Sequence, residues 1–91
     1  MSVTLALPTV LAKLAGGRRT LDADGSTLGE VVADVAGRFP ELAPRLRDES
    51  GAPYPFVTFY LNDDDVRFAG GFSAPVRDGD EIIIVPAIAG G

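Results

Sequence analysis

Leu28, Val31, Val32, Val35, Ala36 and Phe39 recur at i, i+3, i+4, i+7, i+8 and i+11. That spacing is one apolar stripe of an amphipathic helix, with Glu30, Asp34 and Arg38 on the opposite face. Thr27 and Glu30 have capping-box spacing: the threonine oxygen accepts from an orphan amide, and the glutamate reaches back to the cap amide. Pro40 disfavours helical geometry at Phe39, so the helix ends near there. The other apolar runs have strand character, which leaves one main helix to cover one face of one sheet.

Val3, Leu5 and Leu7 alternate with Thr4 and Ala6, the period of a half-buried strand, and Pro8 ends it. Gly16 and Gly17 mark a turn, after which Arg18 to Ala23 runs back as a second strand, with Leu11 and Leu14 of the loop as core covers. Leu42 and Leu46 fit one side of a short extra turn. Phe56 to Leu61 is rich in aromatic and β-branched residues and predicts a third strand. Its alternation puts Thr58 and Tyr60 on one face and Val57, Phe59 and Leu61 on the other. Asn62 to Asp65 predicts a turn and Val66 to Phe68 a short return strand. After the Asp78-Gly79-Asp80 turn, Glu81 to Val85 is the last strand. Its four consecutive apolar residues predict a central position with both faces covered, parallel to the first strand. The expected fold is α+β, a β-grasp: a mixed sheet of four to five strands on one main helix, residues 1–85, then a flexible Gly-Gly tail, residues 86–91.

Composition removes several function classes. The 91 residues include no cysteine and no histidine. Thiolate chemistry and the usual general base are therefore absent, and self-contained catalysis is not expected. A net charge of −5 repels a phosphate backbone, so nucleic acid is not an expected partner. The apolar run Ile82 to Ala89 is far short of the roughly 20 residues that span a bilayer, and no basic region leads into an apolar N-terminal segment. No membrane partner is expected, and the expected location is the cytoplasm. Asp63, Asp64 and Asp65 lack the alternating ligands of a calcium loop and are read as a solvated turn, with no metal site. Arg18 and Arg19 are read as a wet strand face.

The ending "VPAIAGG" raises a different possibility. Pro86 stiffens the start, bulk falls from Ile88 through Ala89, and Gly90 and Gly91 let backbone pass where a side chain would clash. Such a tail can thread a narrow channel and deliver the α-carboxylate of Gly91. That carboxylate is a poor electrophile until activated, for example as an acyl adenylate. An uncovered sheet face with apolar side chains would supply a protein-binding surface.

The segments "VRDGDEIIIVPAIAGG", "LNDDDVRFAGG" and "TLGEVVADV" resemble the ubiquitin-like sulfur carriers, above all those of the actinobacterial cysteine-biosynthesis branch. This family also includes the small subunit of molybdopterin synthase and the carrier for thiamin thiazole. The resemblance implies a co-substrate and not an enzyme. A partner resembling the ubiquitin-activating class adenylates Gly91 with ATP and magnesium, and a thiocarboxylate forms. Its sulfur then passes to a biosynthetic enzyme, in the cysteine branch one that uses pyridoxal phosphate, and a zinc metalloprotease releases the product. None of these cofactors is bound by this chain. Gly91 matches the sulfur-bearing residue and Gly90 its companion, with Ala89 and Ile88 in the tail. Ile83 and Val85 match positions that face the activating enzyme, with Ile82 and Ile84 turned inward and Tyr60 on the strand beside them. Two alternatives share the adenylate: a protein modifier conjugated through Gly91 to lysine, and a molybdopterin synthase subunit. Many molybdopterin-branch members carry bulky aromatics where this chain has Ile84 and Val85.

Overall fold

In a computed structural model, which describes residues 2–86, the alternating start of the chain forms β1 (Ser2–Ala6). Helix α1 (Thr9–Ala12) and a 3₁₀ turn over Lys13–Ala15 follow, then β2 (Thr20–Asp24). Main helix α2 (Leu28–Arg38) and short α3 (Ala43–Leu46) lead into β3 (Val57–Leu61), β4 (Asp64–Asp65) and β5 (Glu81–Pro86). The strands form one sheet in the order β2-β1-β5-β3-β4. Strands β1 and β5 pair parallel at the centre, with Leu5 opposite Ile82 and Ala6 opposite Ile83. The other pairings are antiparallel. This is the expected β-grasp.

The core lies between the sheet and α2. Leu28, Val31, Val32 and Val35 of the helix meet Val3, Leu5, Phe59, Ile82 and Ile84 of the sheet, all buried. Leu42 and Leu46 close one end of this layer and are fully buried. The N-cap forms with one change: Thr27 Oγ1 accepts from the Glu30 amide at 3.2 Å, but the Glu30 carboxylate accepts from the amide and hydroxyl of Ser26, both at 2.8 Å. One residue further back it gains two donors in place of one, and these hydrogen bonds, the Ser26 amide first, lower the Glu30 pKa. The free edge of β2 is tied down by the same helix. Asp34 accepts from the Asp24 amide at 2.9 Å and Arg38 donates to the Asp22 carbonyl at 2.6 Å.

Several boundaries differ from expectation. The loop after β1 is partly helical, and Gly16 and Gly17 (φ 69° and 86°) delay the second strand to Thr20. The third strand starts at Val57, one residue late. The return strand expected at Val66–Phe68 is a 3₁₀ turn, and the strand pairing falls on Asp64–Asp65 instead. Asn62 and Asp63 both adopt positive φ (48° and 79°), the signature of a two-residue hairpin loop, so pairing resumes at once. It stops because the Asp65 carboxylate accepts from the Arg67 amide at 2.9 Å and turns the chain. The last strand runs to Pro86, opposite Val57, one residue into the segment expected as tail. A proline is tolerated at such a strand end.

Candidate functional site

Alternation along the central strands gives the sheet two unlike faces. Ile82 and Ile84 point into the core, as expected, while Ile83 is half-buried and Val85 is 40% exposed on the opposite face. The expectation that the apolar run of β5 has both faces covered is therefore corrected. The single main helix lies on one side, and among the described residues no element covers the other.

Strand register assembles the open face. Tyr60 lies opposite Ile83, and Thr58 opposite Val85. Ala6 flanks Ile83 from β1, with Thr20 beyond it on β2. A single row across the sheet therefore reads Thr20, Ala6, Ile83, Tyr60, Asp65. Its centre is apolar and its edges are polar, the arrangement of a protein-binding patch. Ile83, Val85 and Tyr60, singled out in the sequence, are brought together. Ala6 was not singled out, because only the parallel register places it there.

At the β4 end of the row, Arg67 grips Asp65 through Nε at 3.1 Å to both carboxylate oxygens and through a terminal nitrogen at 2.6 Å. Hydrogen bonding from the Arg67 side chain, then its amide, holds the Asp65 carboxyl below the usual aspartate range. Asp65 thus works as a turn-maker and a clamp, a role signalled only by its spacing two residues before Arg67. At the start of β5, Asn62 donates from Nδ2 to Asp80 at 2.9 Å and accepts from the Glu81 amide at 3.0 Å. The Asp80 carboxylate also accepts from the Arg77 amide at 2.8 Å. These bonds, the Asn62 side chain first, depress the Asp80 pKa. They lock β3 and β5 together at the end remote from Pro86, which fixes where Ile83 and Val85 face. Of the two arginines read as a strand face, Arg19 lies in the loop before β2 and donates to Thr9 Oγ1 at 2.5 Å. Among the described residues no cluster of three or more acidic side chains could hold a metal ion, and no helix is long and apolar enough to cross a membrane.

Strand β5 carries this face directly to Pro86. Ile88, Ala89, Gly90 and Gly91, assigned from the sequence to the tail and to sulfur chemistry, lie outside the described residues.

The model of the ThiS family matches residues 5–91. The chain belongs to the ThiS family. The sulfur carrier protein CysO of Mycobacterium bovis is 43% identical over 93 residues, covering the whole of both chains. A putative sulfur carrier protein of Archaeoglobus fulgidus is 31% identical over 91 residues, again covering both chains entirely. Among solved structures, the BexX/CysO complex of Amycolatopsis orientalis superposes with a TM-score of 0.90 at 43% identity, covering 98% of this chain and 99% of the other. The ubiquitin-like β-grasp fold read from the sequence is the fold of these relatives.

Proposed function

We propose that this sulfur carrier is loaded on the α-carboxylate of Gly91 and docks on its partner enzymes through Ile83, Val85 and Tyr60. The observation that carries the docking role is the open apolar row on β5 and β3, which leads without interruption to Pro86. Full-length similarity to sulfur carriers supports the loading chemistry.

The chemistry requires two displacements at Gly91. A carboxylate oxygen attacks the α-phosphorus of ATP and pyrophosphate leaves, giving an acyl adenylate. Magnesium and cationic side chains of the activating enzyme absorb the phosphate charge. A hydrosulfide equivalent then attacks the acyl carbon, a C–S bond forms, and the C–O bond to AMP breaks. One carboxylate oxygen has been replaced by sulfur. The carrier supplies a carboxylate, a narrow tail and a docking face, and acts as a co-substrate of its partners. ATP and magnesium belong to the activating enzyme and pyridoxal phosphate to a sulfur-accepting enzyme. The resemblance of "LNDDDVRFAGG" to carriers of the cysteine-biosynthesis branch favours a sulfur-accepting partner in that pathway, with a zinc metalloprotease downstream. It also favours the carrier role over lysine conjugation or a molybdopterin synthase subunit.

Incubation with ATP, magnesium, a sulfide source and the activating enzyme is expected to exchange one oxygen for sulfur in the intact mass. Deletion of Gly91 should abolish that exchange and leave the fold unchanged. An unmodified mass in the presence of an active partner rejects the proposal.

A further inference from the structure

The large apolar side chains left exposed among the described residues are Val10 (59%), Phe56 (61%), Phe68 (86%) and Val85 (40%). Isolated exposed apolar residues are ordinary, but contiguous ones mark interaction sites. Three of these four gather around the end of β5. Val85 lies on the open sheet face. Val10 and Phe56 lie on the other side of the strand, where they line a pocket of about 170 Å³ with Arg45, Tyr54, Val57 and Pro86. Pro86 and Val57 are register partners, so the pocket sits against the last paired residue before the tail.

The size and charge of the pocket narrow what fits it. It is smaller than the roughly 300 to 1,000 Å³ of small-molecule sites, and suits one apolar side chain. Among the side chains that line it, Arg45 alone is charged. Arg45 is exposed and belongs to neither of the ion pairs found among the described residues, Arg38–Asp34 and Arg67–Asp65. An occupant with a carboxylate beside its apolar group would match both features.

We infer that this pocket is a second docking point for the adenylating enzyme, one that receives an apolar side chain flanked by a carboxylate from the rim of the channel the tail enters. The inference rests on the carrier reading above and extends it. The open face holds the carrier from one side of β5 and the Val10–Phe56 pocket from the other, so the exit of the tail is clasped between them. Fixing the chain on both sides at Pro86 limits the freedom still to be lost when the tail enters the channel.

The test is ATP–pyrophosphate exchange by the activating enzyme, with the carrier as varied substrate. Phe56→Ala and Arg45→Glu are each expected to raise the KM for the carrier roughly tenfold, the loss of one anchoring contact, with kcat unchanged. The Arg45→Glu effect should shrink at high salt, where an exposed charge pair is screened, and Arg45→Lys should restore most of the affinity. Arg45→Glu should leave the thermal midpoint unchanged, since the side chain is exposed and outside the ion pairs, whereas Phe56→Ala should lower it slightly through loss of its edge-to-face contact with Tyr54. Unaltered KM in both variants overturns the inference while leaving the carrier reading intact. Absence of exchange with the wild-type chain, or exchange that survives deletion of Gly91, overturns the carrier reading and this inference with it.

Discussion

Within β5, Ile82 and Ile84 on one face and Ile83 and Val85 on the other have similar chemistry and opposite surroundings. The first pair is buried against Leu5 and Phe59 of the neighbouring strands and the apolar stripe of α2. The second pair looks outward beside Ala6 and Tyr60. An apolar side chain facing inward stabilises the fold by leaving water. On the open face it forgoes part of that stabilisation until a partner covers it. In the proposed docking role, the apolar run answers two demands at once, one from the core and one from recognition. Reading it as a strand with both faces covered holds for the inner face alone.

Substitutions on the two faces should separate these demands. Ile84→Ala leaves a cavity against Phe59 and α2 and is expected to destabilise the fold by about 3 kcal/mol. Chemical denaturation measures this directly, and a loss below about 1 kcal/mol would mean that the inner face is less tightly packed than its burial implies. Ile83→Asp is expected to do the reverse: a stability change within about 1 kcal/mol, with KM for adenylation raised tenfold or more. If Ile83→Asp unfolds the chain, the two faces have been assigned the wrong way round.

Thr27→Ala tests the inner face through the helix that covers it. Losing the cap should cost about 1 kcal/mol without altering KM, since α2 does not reach the open face. Calorimetry together with the exchange assay would distinguish the two effects.

The smallest expected effect is a pH dependence. Asp80 has a pKa depressed by Asn62 and the Arg77 amide, and Asp65 one depressed by Arg67. The unfolded chain therefore binds more protons than the folded one at acidic pH. The stability these groups contribute is fully present above the ordinary aspartate value and is lost as pH falls through the lower folded values. Asp80→Asn should flatten this slope in thermal midpoints followed below about pH 5. It should also loosen the junction that orients β5, so an unchanged slope would separate Asp80 from that role.

How much could be read beforehand varied with the range of the interaction. The α2 stripe, its threonine cap, the glycine at the turn before β5 and the alternation in β1 and β3 are encoded within a few residues, and each formed within one or two positions of expectation. The return strand failed because Asp65 turns back to its near neighbour Arg67, a side-chain bond that competes with strand pairing and leaves no trace in hydrophobic periodicity. Glu30 reached past its expected partner for the same reason, since Ser26 offered two donors.

The candidate site divides along similar lines. The apolar pattern by itself pointed to two covered faces; Ile83 and Val85 were legible only through the resemblance to the sulfur carriers, which implies that they face the activating enzyme, with Tyr60 on the strand beside them. Ala6, the pocket of Val10, Phe56 and Arg45, and the Asn62–Asp80 lock were not, because each joins residues distant in the chain. Sequence alone determined the main helix, the strands β1, β2, β3 and β5 and which side chains alternate, since these follow from local sterics and the spacing of apolar groups. Only the tertiary structure decided which face of β5 stays open and what surrounds its exit at Pro86, because strand register and the placement of one helix on one side are settled by the packing of the whole chain.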